Sequence, residues 1–158
     1  RQKRQLDIAF DYFVLSQLDK PIELRLIITF VLLENLKSTH ATANNIPFKD
    51  GRFRKPNGKP FSFEGLLKAM FKSAGMSPEL SKVKDLRNEI IHSGITQLNM
   101  NERIEMYCFA QDLIREYLLR LLVLQRKVGC QSSKLSQFCL AMRAISDKVA
   151  FLVIPHAV

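Results

Sequence analysis

The chain has no tryptophan, only three cysteines and no hydrophobic run long enough to cross a membrane. Its longest apolar stretch, Leu26 to Leu33, is interrupted by Thr29, whereas a membrane-spanning helix needs about 20 mostly apolar residues. The number of cysteines is odd and no pair has Cys-x-x-Cys spacing, which argues against a disulfide framework and against a zinc site. We therefore expect reduced cysteines in a cytoplasmic protein that needs no metal or other cofactor.

Acidic residues are also scarce, because 15 Asp and Glu stand against 24 Lys and Arg and the formal net charge is +9. This excess favours a polyanionic partner, nucleic acid above all, although it also serves solubility. The chain does not begin with Met, and Asp7 and Asp11 interrupt its basic start. We therefore expect no signal peptide, and we expect a domain that belongs to a longer protein.

Apolar residues recur at helical spacing through most of the chain and predict an all-α bundle of about five to six helices. The helix over 21–38 is apolar on almost all sides, which is typical of a helix at the centre of a bundle or at an interface. Ser77 and Pro78 are typical of a helix start, and Gly94 is typical of the position just after a helix end. The core helices are expected over residues 5–19, 21–38, 62–74, 78–92 and 101–126.

The length allows one domain with a substantial core. We predict a single domain over residues 1–158, with its core over about 5–126. Residues 128–158 are expected to form a C-terminal extension, with a further helix over 135–149 and a short strand over 151–154. Its role is left open.

Residues 39–61 read as an irregular, basic insertion. Asn57-Gly58 is a strong turn signal, and Phe53 and Phe61 are placed to flank a short hairpin. Cations bind phosphates and aromatic rings stack on bases, so the segment is a candidate RNA-contact loop. It equally fits a solvated insertion that its Phe residues attach to the core. The candidate RNA-binding residues are Lys49, Arg52, Arg54, Lys55 and Lys59.

Arg87-Asn88-Glu89-Ile90-Ile91-His92 lies near the end of the predicted fourth helix. At a helix C-terminus the dipole favours a protonated histidine. Arg87 and His92 are five residues apart, about 140° around an ideal helix, so a shared pocket requires the helix to end or loosen near His92. The glycine at position 94 permits this.

These residue types suit the cleavage of RNA. The 2′-hydroxyl is an internal nucleophile, and a histidine can take its proton as general base. An arginine can hold the scissile phosphate and stabilise the charge that grows on its oxygens. Asn88 can bind the phosphate or orient His92. One histidine cannot easily act as both base and acid, but a two-fold dimer brings two copies together.

The stretch from Leu86 to Gly94 closely resembles the RxxxxH motif of the HEPN superfamily, in its RNxxxH form. Leu32-Leu33-Glu34-Asn35-Leu36 also resembles the glutamate-bearing helix of the Apea-like HEPN branch. The resemblance spans roughly residues 6–126, and its specific part is nine residues long. It implies a HEPN-like helical bundle, homodimerisation and metal-independent endoribonuclease activity that leaves a 2′,3′-cyclic phosphate. It also implies a setting in toxin–antitoxin, abortive-infection or other antiviral systems.

Carried over residue by residue, the resemblance marks Arg87, Asn88 and His92 as catalytic. Glu34 is a supporting residue that can pair with Arg87 across the bundle. The leading hypothesis is therefore a dimeric endoribonuclease of a bacterial defence or toxin system. Two alternatives stay open: a non-catalytic HEPN module that binds RNA or nucleotide, and a structural bundle that docks a regulatory domain or an antitoxin. None of these roles involves a membrane.

Overall fold

A computed structural model describes residues 2–94 and 96–127, and within them it contains five helices and one two-stranded sheet. The predicted fold class, an all-α bundle with a small hairpin insertion, is confirmed. No helix in this part of the chain is both long and apolar enough to span a membrane. In chain order the elements are α1 (Gln2–Gln17), α2 (Ile22–Ala43), β1 (Phe48–Lys49), β2 (Arg52–Phe53), α3 (Phe63–Ser73), α4 (Ser81–Ser93) and α5 (Met100–Lys127).

The chain divides into two compact units, residues 1–118 and residues 119–158. Of the second unit, the structure describes only the end of α5. The helix and the strand predicted over 135–149 and 151–154 lie outside the described residues. The candidate catalytic and RNA-binding residues all belong to the first unit.

α2 packs against α1, α3 and α4, as expected of a helix that is apolar on most sides. Burial of a leucine side chain contributes about 1.5–3 kcal/mol, so this helix supplies much of the free energy that holds the bundle together. It continues to Ala43, beyond the predicted end at residue 38, because no proline or glycine interrupts it there. The fully buried large side chains of the described chain are Phe13, Leu26, Leu32, Leu33, Leu36, Leu66, Leu67, Met70, Phe71, Leu80, Ile114 and Leu118.

A buried polar network joins α1, α2 and α5. The Gln111 amide nitrogen donates to the hydroxyl oxygens of Ser16, at 2.9 Å, and Thr29, at 2.7 Å. Its amide oxygen accepts a hydrogen bond from Gln17 at 2.7 Å. The Tyr107 hydroxyl donates to the Ser16 carbonyl at 2.7 Å. Because buried polar groups are costly when unpaired, this network specifies how the three helices pack.

The segment between α2 and α3 contains the turn predicted at Asn57-Gly58. Gly58 has a φ of 76°, and its N–H donates to the Lys55 carbonyl at 2.8 Å. The Phe61 N–H donates to the Phe53 carbonyl at 2.9 Å, so these two residues flank the turn as predicted. A tight turn with glycine in the left-handed region is the geometry that the Asn-Gly pair favours.

A second tight turn, at Asp50-Gly51, was not among the predictions. Both residues have positive φ, 51° and 72°, as in a type I′ turn, and they connect β1 to β2 with Lys49 opposite Arg52. An Asp-Gly pair is itself a signal for this turn, but it lies close to the stronger Asn-Gly signal. The basic insertion is therefore two successive hairpins rather than one.

The prediction that α4 begins at Ser77 and Pro78 is wrong. The helix begins at Ser81, and Leu80, which precedes it, is buried in the core. Leu80 is the N-cap residue and makes no side-chain cap hydrogen bond, while the Glu79 carboxylate accepts the Ser81 N–H at 2.9 Å. Packing of Leu80 determines this start, and the local Ser-Pro signal does not.

Candidate functional site

α4 presents the residues of the motif on different faces. Val83, Leu86 and Ile90 are buried against the bundle and fix the rotation of the helix. Arg87 is half-buried beside them, whereas His92 is exposed in the last turn. Gly94 ends the helix with a φ of 73°, as predicted, and its N–H donates to the Ile90 carbonyl at 2.8 Å.

Arg87 is held by three neighbours. Its Nη2 donates to Glu34 Oε1 at 2.9 Å, which is the ion pair expected across the bundle. Its Nη1 donates to Asn88 Oδ1 at 3.1 Å, and its guanidinium carbon lies 4.9 Å from the ring centroid of Phe63. Asn88 thus orients the arginine. These contacts fix the position of the guanidinium before any ligand binds. The negative charge of Glu34 also offsets part of its positive charge.

Lys37 belongs to the same cluster, and sequence reasoning missed it. Its ammonium pairs with the second carboxylate oxygen of Glu34 and lies 4.9 Å from the centroid of the Phe63 ring. One carboxylate therefore serves two cations. The spacing of Glu34 and Lys37, three residues apart on one helix, is a sequence signal for such a pair. The ring of Phe63 has no comparable local signal, because it comes from another helix.

These residues line a cleft of about 520 Å³ between α2, α3, α4, strand β2 and the residues just before α3. The size is within the range of about 300–1,000 Å³ that is typical of small-molecule sites. His92 is not among the lining residues. The lining residues are Glu34, Lys37, Arg52, Phe61, Ser62, Phe63, Glu64, Lys84, Arg87 and Asn88.

The structure brings Arg87, Asn88 and Glu34 together and leaves His92 outside their cleft. This agrees with the separation of about 140° that helix geometry gives for a spacing of five residues. The helix ends after His92, so the histidine is exposed at the tip of α4. Within one chain, the arginine and the histidine do not form a joint pocket.

Glu89 determines how the chain leaves α4, and sequence reasoning assigned it no role. Its carboxylate accepts hydrogen bonds from the Thr96 hydroxyl, at 2.9 Å, and from the Gln97 N–H. Arg103 on α5 donates to the Thr96 carbonyl at 3.2 Å. These contacts anchor the connection that follows His92. Their partners lie seven and more residues away, so no local pattern reveals them.

The five cations of the basic insertion do not act together. Arg52 lines the cleft beside Arg87, whereas Lys49, Arg54 and Lys55 line a second cleft of about 420 Å³ on the hairpins. Arg54 has a structural role, because it pairs with Asp50 at 3.0 Å and donates to the Gly58 carbonyl at 3.3 Å. Lys59 is exposed. The predicted RNA contact therefore divides over at least two surfaces.

Protonation of His40 is predicted to lower the free energy of unfolding as the pH falls. Burial lowers the pKa of His40 below its ordinary value of 6.5, so the folded state disfavours its protonated form. The unfolded chain then binds the proton at a higher pH than the folded chain. We expect the stability contributed by neutral His40 to be present above pH 6.5 and to be lost as the pH falls through the lowered pKa.

Melting temperatures measured between about pH 7.5 and pH 5.5 test this, because most carboxylates titrate below that window. The variant His40→Gln should show a flatter dependence over the same range. An identical slope in the variant and the wild type would assign the pH dependence to another group.

Among the described residues, no cluster of three or more His, Cys, Asp or Glu side chains is placed to hold a metal ion. Comparison of the chain with family models, curated proteins and solved structures finds no match. The HEPN resemblance therefore stays an expectation that rests on the sequence motif.

Proposed function

We propose that this protein is a metal-independent endoribonuclease of a bacterial defence or toxin system. The observation that carries the proposal is the arrangement of α4. Its arginine is pre-positioned by Glu34 and Asn88, and its histidine is exposed at the helix end, where a large substrate can reach it. The basic surface of the chain fits a polyanionic substrate.

In the proposed reaction, His92 removes the proton from a ribose 2′-hydroxyl, whose oxygen then attacks the adjacent phosphorus. The bond from phosphorus to the 5′-oxygen breaks, and the leaving oxygen takes a proton. The products are a 2′,3′-cyclic phosphate and a 5′-hydroxyl. Arg87 stabilises the charge on the non-bridging phosphate oxygens.

His92 and Arg87 of one chain do not share a pocket, so we propose that a second copy of the chain completes the active site. An apolar stripe on α2 that no other described residue covers fully supports self-association: Leu24, Ile27 and Val31 recur at helical spacing and are each about 40% exposed. Ile91, one residue before the histidine, is 52% exposed. In the dimer, one His92 acts as base and the other as acid.

The proposal predicts cleavage of RNA in the presence of a chelator, with a 2′,3′-cyclic phosphate on the 5′ product. A single 2′-deoxy substitution at the cut site should abolish cleavage there, because it removes the nucleophile. Product ends are identified by mass spectrometry. The control is an RNA that carries the deoxy substitution a few nucleotides away. Cleavage that needs a divalent cation, or that survives the substitution at the cut site, would contradict this mechanism.

One observation favours the non-catalytic alternative. The Arg87 charge is already engaged by Glu34, as in a structural ion pair, and this weakens its attraction for a phosphate. A wild-type protein that binds RNA with strong salt dependence and never cuts it would support an RNA-binding module instead.

A further inference from the structure

The cleft beside Arg87 is lined by charged residues that do not belong to the RxxxxH motif. Four cations line it, Lys37, Arg52, Lys84 and Arg87, against the two carboxylates of Glu34 and Glu64. Two of the cations, Lys37 and Arg87, share Glu34. The cleft thus carries a net positive charge in a concave site, where a phosphate is attracted more strongly than on an open surface.

Arg52 and Lys84 are the two cations of the cleft that do not pair with Glu34. No carboxylate pairs with Arg52 in the part of the chain that the structure describes. Lys84 is 3.7 Å from the partly buried Glu64 and 3.2 Å from the largely exposed Asp85, and the exposed pair with Asp85 exchanges readily for a better anion. The two cations come from the hairpin segment and from α4, so a phosphate between them is bound from two sides.

The rings of Phe61 and Phe63 also line the cleft, and both are only partly buried. Arginine planes and aromatic rings are the surfaces on which proteins stack unpaired bases. We propose that this cleft binds one unpaired nucleotide of the RNA strand, with the phosphate on Arg52 and Lys84 and the base against the Phe61 ring, because the Phe63 ring is already in contact with two cations. A base in a duplex cannot enter such a cleft without leaving its stack.

The inference rests on the proposed function in taking an RNA strand as the source of the nucleotide. It adds a recognition subsite that lies on the hairpin side of Arg87 and includes the insertion, which is outside the motif resemblance. The subsite makes unpaired RNA the preferred ligand and places an unpaired nucleotide next to the cut.

Binding of labelled single-stranded RNA, measured by fluorescence anisotropy with the His92→Ala protein, tests the subsite without cleavage. Arg52→Gln and Lys84→Gln should each weaken binding several-fold and lower the salt slope of log K by about 0.7, the value for one phosphate contact on a single strand. Phe61→Leu should weaken binding about tenfold or more if a base stacks there. The duplex of the same sequence should bind less tightly and should lose little in these variants.

The matched controls are Lys82→Gln and Lys72→Gln, which remove the same charge from exposed lysines that do not line the cleft. Melting temperatures confirm that the variants fold. A nucleoside monophosphate as competitor distinguishes a free nucleotide from one within a strand, because displacement only by oligonucleotides supports the strand. Full displacement of the RNA by the mononucleotide would show that the cleft binds a free nucleotide, and it would overturn the claim that the nucleotide belongs to an RNA strand.

Equal losses in the Arg52→Gln and Lys72→Gln proteins would overturn the subsite, and so would equal affinity for single strand and duplex. Neither result bears on cleavage, which is measured separately with the wild type. A protein that cuts RNA and fails this binding test keeps its proposed function. A protein that passes the binding test and never cuts keeps the subsite alone.

Discussion

Replacement of His92 by alanine should lower the rate of RNA cleavage by about a thousandfold, because general acid–base catalysis contributes about 10² to 10⁴ to such rates. The residue is exposed and lies in the last turn of α4, so its removal should change the free energy of unfolding by less than about 0.5 kcal/mol. Single-turnover cleavage in chelator and a thermal melt measure the two quantities. His40→Gln is the matched control, and it should cut at the wild-type rate.

The proposed dimeric site gives this prediction a second readout. If each active site needs His92 from both copies, a mixed dimer is inactive, and an equimolar mixture of wild type and His92→Ala protein keeps about a quarter of the activity. Independent copies would keep about half. Wild-type cleavage by the His92→Ala protein itself would remove the histidine from the mechanism. Arg87→Ala should also abolish cleavage, because it removes the guanidinium that stabilises the charge on the phosphate oxygens.

Replacement of Gln111 by leucine should lower the free energy of unfolding by about 3 kcal/mol, because three hydrogen bonds of about 1 kcal/mol each are lost. The amide is only 2% exposed, so water cannot replace its contacts with Ser16, Thr29 and Gln17. At this chain length, the loss corresponds to a fall in melting temperature of roughly 10 °C. Denaturant unfolding followed by circular dichroism measures the free energy.

Gln97→Leu is the matched control, since it makes the same change at an exposed side chain and should cost less than about 0.5 kcal/mol. Thr29→Val removes one partner of the network and keeps its shape, so it should cost about 1 kcal/mol. Equal stability of the Gln111→Leu protein and the wild type would show that the network contributes nothing to folding.

The sequence predicted the pair between Glu34 and Arg87, although 53 positions separate them. Two signals converged there: a lone carboxylate in an otherwise apolar helix needs a partner, and the motif resemblance named the arginine. The sequence did not predict roles for Glu89, Lys84 or Phe63, because none of them stands out from its neighbours as a lone carboxylate in an apolar helix does. Their roles depend on which faces of different helices meet.

Local signals were reliable where the local backbone decides the outcome. Gly94 ends α4 and Asn57-Gly58 forms a turn, because positive φ costs glycine little whatever surrounds it. They failed at Ser77 and Pro78, where burial of Leu80 outweighs the capping preference. A buried leucine contributes about 1.5–3 kcal/mol, whereas a cap contributes about 1 kcal/mol.

By itself the sequence determined the helical bundle, since apolar periodicity decides which elements form and which faces they bury. It also predicted the candidate catalytic residues on α4, and their role stays a prediction. Only the tertiary structure decided that Arg52 alone of the five candidate cations lines the cleft beside Arg87, and that His92 stays outside it. The physical reason is that hairpin register and helix rotation are fixed by contacts between distant residues, which no local pattern records.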